Sequence, residues 1–301
     1  MWDILVTIVG VLAIVLIWIM LYDSNRFIVV QHVICDARIR KPFRAVVLSD
    51  LHDKQFGKGN RQLLESIRAQ KPDLILVAGD MVTAERGMKL DKAVDFMKQL
   101  AAEFPVYYAN GNHEYRMKLY PEVYGDLAEQ YEKALQEMGL ERLVNKRVDL
   151  ETYGVSIYGS EIDRVYYQRF RKAFMEENYL EQLLGKAEQE RYRILLAHNP
   201  DYFPEYAHWG ADLVLSGHVH GGMVRIPGWK GVVSPAVRLF PKYDGGVFRE
   251  GNSTMILGRG LGMHTIPIRL FNPGELIVLD LKNEAAESVT EVKTKRQKKQ
   301  K

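Results

Sequence analysis

Five times along this chain a short apolar run, with the length and residue types of a buried strand, stops and polar, potentially metal-binding residues begin. Ala45-Val46-Val47-Leu48 and Leu74-Ile75-Leu76-Val77-Ala78 lead to Asp50 and Asp80. Val106-Tyr107-Tyr108-Ala109 leads to Asn110-Gly111-Asn112, residues 193–197 to His198, and residues 213–215 to Ser216-Gly217-His218. Residues 60–70 carry Leu63, Leu64 and Ile67 on one helical face, so the first two runs and this helix form a β-α-β unit of roughly 30 residues. A second helix is expected over 90–102. Clefts in α/β sheets form beyond the strand ends, so the five loops should converge on one pocket.

The rest of the chain is consistent with one large folded domain. Its 301 residues can bury a substantial core, and 47% apolar with 26% charged residues is the composition of a folded protein. A net charge of +3, concentrated at the C-terminus, is too small to point to nucleic acid by itself. The single cysteine, Cys35, rules out an internal disulfide and reads as a small, half-buried apolar residue. Between Glu114 and Tyr192 the pattern predicts helices over 121–138 and 167–190 and a strand over 153–160, parts of the same domain that shape the substrate entrance. After Gly222 the chain is rich in Gly and Pro, and then gives strand-like runs at 255–257 and 276–281. Residues 284–301 are polar, with six basic residues among the last nine, and read as a disordered tail or as a contact for an anionic membrane surface.

Residues 4–21 contain no charge. Eighteen apolar residues at about 1.5 Å each span roughly 27 Å, close to the hydrocarbon thickness of a bilayer. Trp2, Trp18 and Tyr22 suit the headgroup region. A cleaved signal peptide would carry a basic leader and a small-x-small exit, whereas this run is flanked by Met-Trp-Asp and Tyr22-Asp23-Ser24-Asn25-Arg26. The expected organisation is a transmembrane anchor at 1–22, a juxtamembrane segment at 23–43, a catalytic domain at 44–283 and the tail. Arg26, Arg38, Arg40, Lys41 and Arg44 follow the span and only Asp3 precedes it, so the positive-inside rule predicts a single-pass protein of the cell membrane with a cytoplasmic domain.

Five fragments carry the chemistry: Asp50-Leu51-His52, Gly79-Asp80, Gly111-Asn112-His113-Glu114, His198-Asn199-Pro200 and Gly217-His218-Val219-His220-Gly221-Gly222. They hold five of the eight histidines, and any one alone would read as a cap or a polar turn. Carboxylate, imidazole and amide oxygen together suit a borderline divalent ion such as Mn, Fe, Zn or Co, and one cysteine excludes an all-thiolate zinc site. In this order and at strand ends, the fragments resemble the signature of the calcineurin-like metallophosphoesterases, over about residues 44–281. The stretch 217–225, with Gly258-Arg259-Gly260-Leu261-Gly262 and Pro267-Ile268-Arg269, is similar to a membrane-associated bacterial branch of that family.

The resemblance implies an α/β fold, a four-layer α/β/β/α sandwich of two mixed sheets, here with an N-terminal transmembrane helix. It implies two divalent ions, one held by Asp50, His52, Asp80 and His220 and the other by Asp80, Asn112, His198 and His218, with Asp80 bridging. Manganese is expected to serve best in vitro. A bridging carboxylate can hold two ions roughly 3.5–4 Å apart, and a hydroxide shared by them would attack phosphorus directly. His113 is expected to protonate the leaving oxygen and Glu114 to orient its imidazole. Two features depart from the family pattern: Thr83 stands where many members have Asp, and Asp53-Lys54-Gln55-Phe56-Gly57 replaces the usual continuation after Asp-x-His. Arg225, Arg259 and Arg269 are candidate phosphate contacts against a structural alternative; His264 and Asn199 are undecided, and His32 and His208 receive no role.

The expected reaction is hydrolysis of a phosphomonoester, phosphodiester or pyrophosphate, on a phosphorylated small molecule or a lipid-linked or envelope-precursor substrate. A non-catalytic membrane scaffold would have lost metal ligands, and all seven positions are filled here. A nucleic-acid-processing phosphodiesterase is favoured by the basic tail and opposed by the anchor and the near-neutral remainder. No protein partner is inferred.

Overall fold

Fully buried strands tolerate uninterrupted apolar sequence, and the runs that end at the aspartates are of this kind. In the computed structural model, which describes residues 1–140, 142–168, 171–227, 230–233, 239–263 and 268–283, they lie in two mixed sheets. The first contains β1 (Phe27–Cys35), β2 (Phe43–Leu48), β3 (Leu74–Ala78), β4 (Val106–Ala109) and β13 (Gly274–Lys282), in the order β1-β13-β2-β3-β4. The second contains β5 (Lys146–Leu150), β6 (Val155–Ser160), β7 (Tyr192–Ala197), β8 (Leu213–Ser216), β11 (Gly246–Glu250) and β12 (Ser253–Leu257), in the order β11-β12-β8-β7-β6-β5. A two-stranded ribbon, β9 (Val224–Arg225) with β10 (Gly231–Val233), stands apart.

Alternation of side chains across each strand builds three layers of core. From β2 and β3, Val46, Leu48, Ile75 and Val77 pack under α2 (Arg61–Gln70), α3 (Asp91–Ala101) and α6 (Leu127–Glu137). Ala45, Val47, Leu74 and Leu76 point the other way and meet Ile194 and Leu196 of β7 between the sheets. Leu195 and Ala197 then pack with Phe203 and Tyr206 of α8 (Phe203–Trp209) and Leu180 of α7 (Tyr179–Leu184). Full burial of each such side chain contributes about 1.5–3 kcal/mol. The result is the α/β/β/α sandwich.

The direction of the strands places the loops. β2, β3 and β4 are parallel, as are β6, β7 and β8, so their C-terminal ends gather on one edge of each sheet. The imidazole Nδ1 of His198, after β7, lies 2.7 Å from the carbonyl oxygen of Ala78, the last residue of β3, which brings the two edges together.

Several elements differ from expectation. The stretch 23–43, expected as a juxtamembrane segment, supplies β1, which pairs in parallel with β13 from Phe27↔Gly274 to Cys35↔Lys282 and so joins the first sheet. The helix expected over 121–138 is split at Gly125 (φ 60°) into α5 (Pro121–Tyr124) and α6. The helix expected over 167–190 shrinks to α7, which stops at Gly185 (φ 75°). α4 (Asn112–Leu119) lacked an apolar stripe to announce it. α1 (Trp2–Ser24) carries the apolar run, and among the described residues nothing buries its most apolar window. The basic tail, His264 and Pro267 lie outside the described residues.

His32 on β1 shares a face with Ile34, which packs between the sheets, and burial lowers its pKa to about 4. A neutral imidazole therefore contributes stability that is present above its ordinary value of 6.5 and lost as the pH falls towards 4. In urea unfolding, the native chain should lose on the order of 2–3 kcal/mol more than His32→Leu across that window. Parallel pH profiles for the two proteins would contradict this.

Candidate metal centre

The loops that leave the strands turn back sharply, and they do so on residues that pay for it in backbone strain. Asp50 (φ 50°), His52 (49°), Asp80 (55°), His218 (74°) and His220 (52°) all adopt the left-handed region. For residues with a Cβ this costs of order 1–2 kcal/mol each. Five of seven candidate ligands are thus held in a conformation that only their surroundings stabilise. The motif glycines let the loops touch. A Cβ on Gly111 would sit 2.2 Å from Asp80 Oδ1, and one on Gly217 would sit 2.2 Å from Asp50 Oδ2.

Each aspartate is used on one side only. Asp50 Oδ1 accepts the backbone N–H of His218 at 2.8 Å, and Asp80 Oδ1 accepts that of His113 at 2.8 Å. Asp50 Oδ2, Asp80 Oδ2, Asn112 Oδ1 and His198 Nε2 are buried without a hydrogen-bond partner. His198 Nε2 and Asp80 Oδ2 face each other at 2.9 Å. Such atoms are costly unless a cation meets them. The ligating atoms of Asp50, His52 and His220 lie within 4.8 Å of one another, and so do those of Asp80, His198 and His218. Asp50, His52 and His220 belong to the first expected ligand set, and Asp80, His198 and His218 to the second.

Hydrogen bonds to the far ring nitrogens assign the tautomers. A carbonyl only accepts, so His198 donates Nδ1–H to Ala78 and His220 donates Nδ1–H to Gly262 at 3.2 Å. Their Nε2 lone pairs are then directed to metal. His113 is the reverse: its Nδ1 accepts the N–H of Ala84 at 2.8 Å, so the neutral ring carries its proton on Nε2. His113 also lies within 4.8 Å of ligating atoms on His52 and Asp80, yet this tautomer suits a proton donor rather than a ligand.

Burial pushes the Asp50 carboxyl up, and it pushes that of Asp80 up to about 7. Burial alone would lower His198, but the charges of Asp80 and Asp50 reverse the direction. Divalent cations would replace this mutual dependence by fixing the carboxylates ionised and the imidazoles neutral. The donors present therefore fit two such ions.

Glu114 departs from its expected role, and Arg225 and Arg269 take their structural alternative. Glu114 does not orient His113. Its carboxylate accepts the N–H groups of Asp80 (3.0 Å), Met81 (2.8 Å) and Gly111 (2.9 Å) and the hydroxyl of Tyr108 (2.7 Å), which ties the Asp80 loop to the start of α4. Ala84 orients the imidazole instead. Arg225 is buried, and its guanidinium donates to the carbonyls of Gly221 and Asp244 and pairs with the Asp244 carboxylate. Arg269 is fully buried and donates to the carbonyls of Arg259, Gly260, Gly262 and Asn272. Both arginines brace the His220 loop. Arg259 is partly exposed, with its Nε 3.0 Å from Glu275.

The two departures from the family pattern meet one another, since Asp53 Oδ2 accepts the N–H of Thr83 at 2.9 Å. They border a cleft of about 640 Å³ that opens from His52 past Arg86, Lys89 and Lys92. A larger cavity of about 820 Å³ lies behind Glu114, between α6 and β5, and reaches none of the seven ligands. Tyr167 went unnoticed in the sequence. Its ring packs edge-on to His218 at 5.4 Å, and desolvation together with the Asp80 charge keeps its phenol protonated as a donor. Asn199 holds that segment by donating to the carbonyl of Tyr166 at 2.8 Å.

Asn112→Ala and His218→Ala should each bind about one metal equivalent fewer than the native chain, whereas His113→Ala should keep its full metal content. Elemental analysis after manganese loading and gel filtration checks this, and loss of metal from His113→Ala would reassign that residue as a ligand.

Over residues 43–222 the chain matches the family model described as calcineurin-like phosphoesterase. It is similar to the uncharacterized metallophosphoesterase YkuE of Bacillus subtilis, at 25% identity over 244 residues that cover 80% of this chain and 79% of that protein. An uncharacterized metallophosphoesterase of Helicobacter pylori is 27% identical over 260 residues, covering 82% of this chain and 62% of the relative. A transmembrane protein with metallophosphoesterase domain from Danio rerio is 27% identical over 249 residues, covering 79% of this chain and 53% of the relative. The chain therefore spans less than two thirds of the length of these last two. Given the family match across more than half its length, this chain belongs to the calcineurin-like phosphoesterases, metal-dependent hydrolases of phosphoric esters.

Proposed function

We propose that the protein is a membrane-anchored, two-metal phosphoesterase acting on a lipid-linked or other envelope-precursor phosphoester or pyrophosphate. One observation carries this reading. Asp80 gives Oδ1 to a backbone N–H and turns Oδ2 to His198 Nε2 (2.9 Å) and His52 Nε2 (3.8 Å), while Asp50, held by the N–H of His218, sets Oδ1 3.8 Å from His198 Nε2 and 3.7 Å from His220 Nε2. Asp50, His52, Asp80 and His220 would hold one ion, and Asp80, Asn112, His198 and His218 the other. Bound divalent ions, with manganese the best candidate in vitro, supply Lewis acidity and a nucleophilic water at neutral pH.

The chain's own residues do the rest. His113 holds a proton on Nε2 beside His52, with ring centroids 4.8 Å apart, and delivers it to the leaving oxygen. Tyr167 donates a hydrogen bond to the phosphoryl group, and the partly exposed Arg259 attracts an anionic substrate. α1, 23 residues long and so about 34 Å, with mean hydropathy 3.1 over its most apolar window and no burial there, is the anchor. The basic residues that follow it favour a cytoplasmic catalytic domain.

The full chain in detergent, stripped of metal and given Mn²⁺, should hydrolyse at least one of a chromogenic phosphomonoester, a phosphodiester and a nucleotide-sugar pyrophosphate. His113→Ala should lower kcat by about 10²–10⁴ for esters with poor leaving groups and far less for nitrophenolate esters, which need no proton. A uniform loss for both leaving groups would contradict the proton-donor role. Turnover that is indifferent to metal removal would contradict the proposed chemistry as a whole.

A further inference from the structure

β1 and β13 run opposite to β2, since Ile277 pairs with Val47 and Leu281 with Phe43. Their N-terminal ends therefore lie at the same edge of the sheet as Asp50, and α1 enters the domain there. Side chains tie it to the centre. Asp23 is buried, pairs with Arg26 at 2.7 Å, and accepts the N–H of Asn272 at 3.1 Å. Asn272 in turn donates to the carbonyls of His220 (2.8 Å) and Gly222 (2.6 Å). On the other side Lys54, two residues from His52, donates to Asn25 at 2.8 Å.

Around this root the surface is apolar. Residues 268–271 lie beside β9, with Leu270 bonded to Met223 and Arg225, and β10 lies beside β9, with Phe240 bonded to Val232. These adjoining segments expose Ile226 (41%), Leu239 (69%), Phe240 (54%), Ile268 (36%) and Phe271 (36%). Exposed apolar side chains gathered in adjoining segments mark an interaction surface. Lys230 and Lys242, both exposed, flank them with charge that suits anionic headgroups.

We infer that this face seats in the lipid bilayer, with the five apolar side chains below the headgroups, and so holds the metal centre at the membrane surface. The occupant is assigned by continuity: the face adjoins the point where the span ends, and it shares the Asp23–Asn272 contact with the loop of His220. The inference rests on α1 being a membrane anchor. The root of α1 fixes the domain at one point, whereas a seated face also fixes which edge meets lipid. A phosphate on a lipid headgroup would then meet the ligand loops without leaving the membrane.

The test uses the full chain with Cys35→Ser, reconstituted into phosphatidylcholine–phosphatidylglycerol vesicles that carry doxyl-labelled lipid. Single cysteines introduced as Ile226→Cys, Phe240→Cys and Phe271→Cys take a fluorescent label, with Ile14→Cys in α1 as the lipid-exposed reference. Glu103→Cys, in the turn ahead of β4 and so at the opposite edge, is the aqueous reference. The inference expects loss of fluorescence at 226, 240 and 271 approaching that at 14, and none at 103. Quenching at 14 but not at the three positions would overturn the seated face and leave the anchor standing. In that case, energy transfer between labelled chains would make a second copy the occupant. No quenching at 14 would overturn the anchor, and the inference with it.

Discussion

The centre depends on two backbone hydrogen bonds that cross between loops. His218 N–H to Asp50 and His113 N–H to Asp80 each fix one carboxylate oxygen and so hold both carboxylates against the imidazoles of the site. A carboxylate that was free to rotate would find both oxygens solvated, and one fully bonded to protein would have nothing left for a cation. Everything nearby serves the half-bonded state. The left-handed turns at the ligands bring the loops back over the strand ends, and Gly111 and Gly217 let the neighbouring backbone come within reach of the carboxylates. Glu114 then locks the Asp80 loop to α4 through three N–H groups, so strain at one loop is balanced by hydrogen bonds from another.

Imidazole tautomers divide the work within this frame. Backbone carbonyls at Ala78 and Gly262 make His198 and His220 lone-pair donors at Nε2, while a backbone N–H at Ala84 makes His113 a proton carrier there. The same side chain is thus suited to ligation or to proton donation according to whether its far nitrogen meets a carbonyl or an amide. Topology brings α1 to the ligand edge, because β1 and β13 run antiparallel to β2. Without that reversal α1 would join the opposite end of the sheet.

The strands that carry ligands were legible in the sequence because parallel, doubly covered strands need unbroken apolar runs. β1 and β5 were not. They are outer strands of their sheets, with Gln31 and His32 in one and Lys146, Arg147 and Asp149 in the other, and neither reads as buried. α4 was hidden for a different reason: its residues are chosen for the site and for capping, so no apolar period survives. The ligand residues stood out by type and by position at strand ends. The role of Glu114 did not, since a carboxylate next to a histidine looks the same in sequence whether it faces the ring or the backbone. Arg225 and Arg269 stayed between two roles in the sequence for a related reason, because a guanidinium can bind loop carbonyls as well as phosphate.

The central claim is that these loops hold two ions joined through Asp80. Electron paramagnetic resonance of the full chain loaded with Mn²⁺ tests it most directly, because two ions sharing a carboxylate couple magnetically. The account predicts a spin-coupled spectrum from two manganese ions per chain, replaced by an isolated six-line signal in Asp80→Asn. Only isolated signals from the fully loaded native chain would contradict it.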